Sequence, residues 1–351
     1  MENITLIAID IAKETFHVRG INHRGKALFN KKISRHRLIP TIEEIAPKNG
    51  CSIAMEACAT SHYWGREFQK MGHTPKLIAA QFVKPFVKSN KNDQADAEAI
   101  AEAASRESMR FVSVKTEEQQ SIQIVHRVRT RLVSNRTQIL NELRSILAEF
   151  GFYIPRGKKT LTTIARDILG KNSIHLTMYI RNIINHLLEE VSLLDDKIKE
   201  YEVTLKEISK SNAVCQNLST IPGVGLITST ALFASYGQST QFKNGRAMAA
   251  SLGLVPRQNS SGGKSQLGRI SKRGDPYIRK LMVHGARSVL KVSHRKNDHY
   301  NLWATSLRDS KGYNKAAVAL ANRNARIAWV ILSKQKETFN PKHIGVKTIM
   351  H

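Results

Sequence analysis

Four carboxylates are spaced as metal-assisted phosphodiester chemistry would require. Asp10 closes a short apolar run, Ile4 to Ile9, and Glu56 closes another, Ser52 to Met55; Asp93 and Asp96 lie three apart at the start of an Ala-rich segment. A spacing of three puts Asp93 and Asp96 on one helical face. If the two apolar runs are neighbouring strands, Asp10 and Glu56 emerge side by side, and that helical face can point at the same spot. Converging carboxylates repel one another unless cations neutralise them, and oxygen-only ligands suit magnesium, with manganese as the substitute. Two such ions about 4 Å apart stabilise both the attacking and the leaving oxygen of a phosphoryl transfer. Taken singly, each residue has an ordinary role: Asp10 a turn residue, Glu56 a surface carboxylate, Asp93 an N-cap, Asp96 a solvated side chain.

Two further segments bear on phosphate. Ile221-Pro222-Gly223-Val224-Gly225 matches the hairpin of a helix-hairpin-helix. There Gly223 and Gly225 let backbone amides approach a DNA phosphate, and the next helix adds its dipole. A generic Gly-rich helix start is the plainer alternative. Ser260-Ser261-Gly262-Gly263-Lys264 is by default a flexible turn. A Ser hydroxyl among Arg257, Lys264, Arg269, Lys272 and Arg273 is also where a phosphate would be held for attack, because the cations balance developing negative charge. His284, His294 and His299 form no metal pattern, and Trp303 and Trp329 belong to helical stretches whose apolar positions are expected in the core.

The elements that must position these residues are legible in outline. Strands at 4–9, 16–19 and 27–33, a helix at 36–45, a strand at 52–55, a helix at 61–71, a strand at 76–79 and a helix at 93–105 give the element order of a ribonuclease H-like α/β domain, residues 1–112. Residues 113–212 are helical. Val125, Leu132, Ile139 and Ile146 recur every seven residues; later Ile184, Val191, Ile198 and Leu205 alternate with Leu187, Leu194, Tyr201 and Ile208. The second set predicts a coiled coil that joins protomers, or else a long helix packed in its own chain's core. Its acids, among them Glu189, Glu190, Asp195 and Asp196, make it a poor nucleic-acid surface. Residues 213–351 form a third region, mostly helical and basic.

Charge narrows the partner. The 351 residues carry 55 Lys plus Arg against 28 Asp plus Glu, a net charge of +27. Self-repulsion of that size is what a polyanion relieves, and it argues against a small-molecule enzyme. From Ala213 onward there are 22 Lys plus Arg against 4 Asp plus Glu, so two thirds of the surplus lies there. Cys51, Cys58 and Cys215 form no CxxC pair, which excludes a disulfide scaffold or zinc ribbon and predicts reduced core thiols. No apolar run reaches the roughly 18–20 residues of a membrane span, and Met1-Glu2-Asn3 lacks a leader's basic and apolar regions. The expected setting is the cytosol, at the nucleoid.

The motifs together resemble a known family. Ile9-Asp10-Ile11-Ala12-Lys13, Met55-Glu56-Ala57 and Lys91-Asn92-Asp93-Gln94-Ala95-Asp96-Ala97 look like the DEDD-type insertion-sequence transposases related to the Piv DNA invertase. Leu252-Gly253-Leu254-Val255-Pro256-Arg257, Ser261-Gly262-Gly263-Lys264 and Gly268-Arg269-Ile270-Ser271-Lys272-Arg273-Gly274 look like that family's transposase domain. The likeness covers nearly the whole chain in order. It implies a RuvC-like N-terminal domain, a coiled-coil middle and a mostly helical C-terminal domain with a helix-hairpin-helix. It further implies magnesium at Asp10, Glu56, Asp93 and Asp96, Ser261 as nucleophile forming a phosphoserine link, and a structured bridge RNA that pairs with donor and target DNA. A dimer or tetramer through the coiled coil completes the expectation. Two alternatives remain: a RuvC-like metal-dependent nuclease that hydrolyses branched DNA without a serine nucleophile, and a non-enzymatic nucleic-acid organiser.

Overall fold

The structure, a computed structural model, describes residues 4–87, 93–170, 176–260, 266–334 and 338–340; the side chains of Asp93 and Gln94 lie outside the description. Two compact units emerge, Met1–Glu118 with Tyr236–Ala247, and Gln119–Ser235 with Met248–His351.

In the first unit the elements are β1 (Leu6–Ile11), β2 (Thr15–Ile21), β3 (Ala27–Ser34), α1 (Leu38–Ile45), β4 (Ser52–Glu56), α2 (Ser61–Lys70), β5 (Thr74–Ile78), the short α3 (Ala80–Val83), α4 (Asp93–Ala104) and β6 (Phe111–Val112). They form one six-stranded sheet in the order β3-β2-β1-β4-β5-β6. β1, β2 and β3 are antiparallel, β4 and β5 run parallel to β1, and β6 is antiparallel to β5. This order is consistent with a ribonuclease H-like arrangement. β5 begins at Thr74, two residues before the sequence suggests, because Thr74 and Pro75 extend the ladder opposite Ser52 and Ile53. β6 has too few residues for a period-two pattern to reveal it.

Strand alternation divides the core between the two sheet faces. Ile7, Ile9, Phe16, Val18, Ile53 and Met55 pack with Leu38, Ile42, Trp64 and Phe68 of α1 and α2. Leu6, Ala8, Ile21, Ala54 and Ile78 pack with Ala99, Ile100 and Ala103 of α4. The alanines keep α4 close to the sheet.

After β6 come α5 (Glu117–Glu149), α6 (Lys158–Gly170), α7 (Met178–Ser211), α8 (Ala213–Ser219), α9 (Leu226–Tyr236), α10 (Gly245–Ser251), the hairpin strands β7 (Pro256–Gln258) and β8 (Leu267–Ile270), α11 (Pro276–Val292), α12 (His299–Lys311) and α13 (Tyr313–Lys334). The heptad stripe of α7 is filled from within the chain: Leu132 and Ile139 of α5 pack with Val191, Leu194 and Ile198. Arg129 Nε donates to Glu202 Oε1 at 3.0 Å, and Arg136 pairs with Asp195 at 2.5 Å. The two pairs are seven residues apart on each helix but run in opposite directions, which fixes an antiparallel hairpin. Its far end is closed by α6, whose Leu161 and Ala165 pack with Leu143, Leu147, Ile184 and Leu188. α6 has no separate counterpart in the sequence-based outline, whereas α12 carries Trp303, expected there on a helical stretch.

Boundaries follow local chemistry. Thr177, Asn212, Asp275 and Asp298 cap α7, α8, α11 and α12 through their side-chain oxygens, and Pro276 occupies the first turn of α11, where its missing N–H costs nothing. The cysteines are free. Among the described residues no helix is long and apolar enough to cross a membrane.

Candidate metal and nucleic-acid sites

The sheet positions the carboxylates by register. β1 pairs with β4 through Ile9↔Met55, and Asp10 and Glu56 are the next residues on each strand. Leu6, Ala8 and Ala54 face α4, so by alternation Asp10 and Glu56 project to that same face. Asp96 precedes Ala99, Ile100 and Ala103, the residues with which α4 meets the sheet, at helical spacing. Asp10, Glu56 and Asp96 are each half-buried. Asp93 is the first residue of α4, but its side chain lies outside the described residues. Among the described residues no three His, Cys, Asp or Glu side chains are grouped closely enough to hold a metal ion. The donor chemistry fits a hard divalent cation: carboxylates only, from two adjacent strand ends and a helix start.

Two neighbours of this site were not legible in the spacing. His17 lies directly opposite Asp10 in the β1–β2 ladder and therefore shares its face. Arg19, two residues on, reaches Glu98 of α4 at 3.5 Å, tying the helix to the sheet beside the carboxylates. The only prior sign of either was the alternation Phe16, Val18 inward and Thr15, His17, Arg19 opposite.

In the second unit the segment Ile221-Pro222-Gly223-Val224-Gly225 joins α8 to α9. Gly223 has φ +85°, and a Cβ there would stand 2.6 Å from the Gly285 carbonyl oxygen of α11. Gly285 is bound equally tightly, since its own Cβ would lie 1.9 Å from the Gly223 oxygen. The close approach at Gly223 is thus to α11, whereas Gly225 is exposed with open space around it. The Pro222 carbonyl accepts from Asn324 Nδ2 at 2.8 Å and from Tyr300 Oη at 3.4 Å, and Tyr300 Oη also donates to Asn324 Oδ1 at 2.7 Å. α11, α12 and α13 therefore fix the hairpin from behind.

The serine-containing loop connects β7 to β8, and the Asn259 amide donates to the Gln266 carbonyl across its base at 3.0 Å. Ser260 is exposed and accepts from Gln258 Nε2 at 2.9 Å. Ser261 and Lys264 lie outside the described residues. Arg257 on β7, Arg269 on β8, and Lys272 and Arg273 just beyond are all exposed. The corner carrying the last two is held through backbone: a Cβ on Gly274, at φ +76°, would stand 1.7 Å from the Ser251 oxygen. Arg279 Nη1 donates to the carbonyls of Leu252 and Arg273, both at 3.0 Å, and Asn322 Nδ2 donates to that of Leu254 at 3.2 Å. The Arg279 guanidinium is thereby committed to backbone carbonyls.

A buried polar network links α5 to this unit's other helices. His126 contacts Tyr277 Oη through Nδ1 at 2.9 Å and Thr230 Oγ1 through Nε2 at 3.0 Å. Burial, aided by the charge of Arg129, depresses the imidazole pKa to about 4. Burial raises the Cys51 thiol to about 11, so it is a poor nucleophile.

Comparison with known proteins identifies the lineage. The family description "Transposase IS116/IS110/IS902 family" matches residues 215–301, and a DEDD-type transposase domain description of IS110 elements matches residues 7–152. The transposase for insertion sequence element IS1111A of Coxiella burnetii is 44% identical over 96% of this chain and 92% of its own length. The chain belongs to the IS116/IS110/IS902 transposase family. The probable family 20 transposase of Pseudomonas aeruginosa is 42% identical, and the transposase for insertion sequence element IS1328 of Yersinia enterocolitica is 40% identical; each match covers 95% of this transposase and 98% of the relative. The stretch 7–152 contains Asp10, Glu56, Asp93 and Asp96, and the stretch 215–301 contains the hairpin, the serine loop and the cationic corner.

Proposed function

We propose that this insertion-sequence transposase, an enzyme that cuts and rejoins DNA, exchanges strands through a phosphoserine intermediate under the guidance of a structured RNA. The observation that carries the reading is the register that brings Asp10 and Glu56 to adjacent parallel strand ends on the α4 face. Asp10, Glu56, Asp93 and Asp96 would hold magnesium, or manganese in its place. When bound, the ions supply charge neutralisation at the reacting phosphate.

In this reading Ser261 Oγ forms a bond to phosphorus while the bond to the departing strand oxygen breaks and the hydroxyl proton ends on that oxygen. Attack by a second strand's hydroxyl reverses the step and frees the serine, so no external energy is needed. Arg257, Lys264, Arg269, Lys272 and Arg273 balance the charge that develops on the phosphate, and the amides around Gly223 and Gly225 contact the DNA backbone away from the chemistry. The three sequence regions, 1–112, 113–212 and 213–351, would then gather metal, arrange protomers and hold phosphate. Self-association into a dimer or tetramer would use the outward face of α7, where Ile183, Leu193 and Val203 stay exposed. The RNA from the element would pair with donor and target DNA, so target choice would not be written in the polypeptide. The cytoplasm is the compartment that supplies all three.

The test is trapping on nicked suicide DNA. The expected result is a protein–DNA adduct that survives denaturation and disappears in Ser261→Ala. No adduct, or one that persists in that variant, would leave a metal-dependent nuclease in its place. Sequencing of copurifying RNA tests guidance: one discrete species encoded beside the gene supports it, and only random cellular RNA overturns it.

A further inference from the structure

A half-buried cation on α13 stands beside the hairpin without a counter-charge. The Arg323 guanidinium lies 5.2 Å from the ring centroid of Tyr300 and 4.6 Å from that of Trp303. Among the described residues it has no hydrogen-bond or ion-pair partner. Arg326, one helical turn along, adds a second positive charge; burial depresses the pKa of Arg323, Tyr300 works against that, and the charge of Arg326 adds to it. Aromatic faces hold the guanidinium plane but accept none of its five N–H groups. A desolvated, immobilised cation with unused donors and a like charge at its side is costly unless an anion completes it. The ring beneath it belongs to Tyr300, whose hydroxyl fixes Pro222 of the hairpin and whose edge meets Phe339 at 5.5 Å between centroids.

We propose that Arg323, clamped between Tyr300 and Trp303, is a phosphate-binding residue for the backbone of duplex DNA engaged by the adjacent hairpin. The proposal rests on the DNA-binding reading above and extends it to a side chain outside the serine loop. Duplex DNA is the occupant because a helix-hairpin-helix contacts the backbone without reading sequence. Tyr300 couples the two: the same side chain sets the hairpin carbonyl and the guanidinium plane. Trp303 therefore acts as a positioning residue rather than as packing alone.

The experiment measures binding of the full chain to a random-sequence duplex across a salt series, beside thermal melting of each variant. Arg323→Gln is expected to melt with the wild type and to lower the slope of log affinity against log salt by about 0.9, the release expected for one lost phosphate contact on B-form DNA. Arg323→Lys should keep the slope, and Trp303→Leu should keep it while weakening binding several-fold, because the charge remains but its placement is lost. If Arg323→Gln lowers the melting temperature, Arg323→Lys and Trp303→Leu decide instead. Wild-type affinity in folded Trp303→Leu overturns the clamp, and a lowered slope in folded Arg323→Lys overturns the charge contact. An unchanged slope in folded Arg323→Gln, with Lys272→Gln lowering it, overturns the proposal alone. Failure of the wild type to bind the duplex overturns the DNA-binding reading as well. A change seen only with single-stranded RNA would assign the residue to a different polymer and reject the proposal.

Discussion

The carboxylates of the sheet and the cations around the β7–β8 hairpin are positioned by different means. Asp10 and Glu56 occupy their places through a regular ladder, where one residue of register decides which face a side chain takes. Lys272 and Arg273 lie on irregular backbone, held by Gly274 against Ser251 and by the fork of Arg279 to the carbonyls of Leu252 and Arg273. The first arrangement is built from neighbours in a periodic lattice. The second needs one backbone approach with no room for a methyl group, at Gly274, and one side chain that donates to two carbonyls, Arg279.

The largest expected effect separates chemistry from binding. Asp10→Asn and Glu56→Gln should each lower strand cleavage by roughly a thousandfold, about 4 kcal/mol of barrier, in an oligonucleotide cleavage assay. Duplex affinity should change by less than about twofold, since the cations lie elsewhere in sequence; a matching loss of binding would break the comparison. Next, Gly274→Ala must force both a positive φ and a backbone collision, so denaturant unfolding should show a loss of about 3 kcal/mol. A neutral result would mean that the corner is not held through backbone.

A third prediction concerns pH. The His126 pKa is about 4 in the fold against an unfolded value of 6.5, so the unfolded chain binds the extra proton between those values. Stability contributed by neutral His126 is complete above pH 6.5 and is lost as pH falls toward 4, by about 3 kcal/mol over the full window. In His126→Gln that part of the slope of unfolding free energy against pH should vanish. The smallest effect lies on the helical hairpin. Burial works against the charged form of Asp195, but hydrogen bonds from Lys158 and Arg136 outweigh it and lower its pKa. The cluster is only partly exposed but keeps contact with solvent, and Asp195→Asn should cost about 1 kcal/mol by denaturant unfolding.

Much of the first unit was legible because its rules are local. Short apolar runs ending in Asp10 and Glu56 give strands and place carboxylates at their ends, and the Asp93–Asp96 spacing gives a helical face. The sheet order follows from strand direction and short connections. β6 was hidden by its length. His17 was missed for a different reason, since only the pairing Asp10↔His17 reveals it. The heptads of α5 and α7 were both visible, but periodicity shows that a stripe needs a partner and not which one. The matching Arg129–Glu202 and Arg136–Asp195 pairs answer that α5 fills the stripe from the same chain.

By itself the sequence determined the polyanion partner, the four carboxylates, the hairpin and the serine loop, because charge balance and residue spacing are properties of the chain. Tertiary structure alone decided what each arginine touches. Arg279 and Arg323 are both arginines on basic helices, yet one donates to backbone carbonyls while the other lies over two rings and, among the described residues, has no hydrogen-bond partner. That difference arises from long-range contacts, with Leu252 and Arg273 in one case and with Tyr300 and Trp303 in the other. No local pattern encodes it.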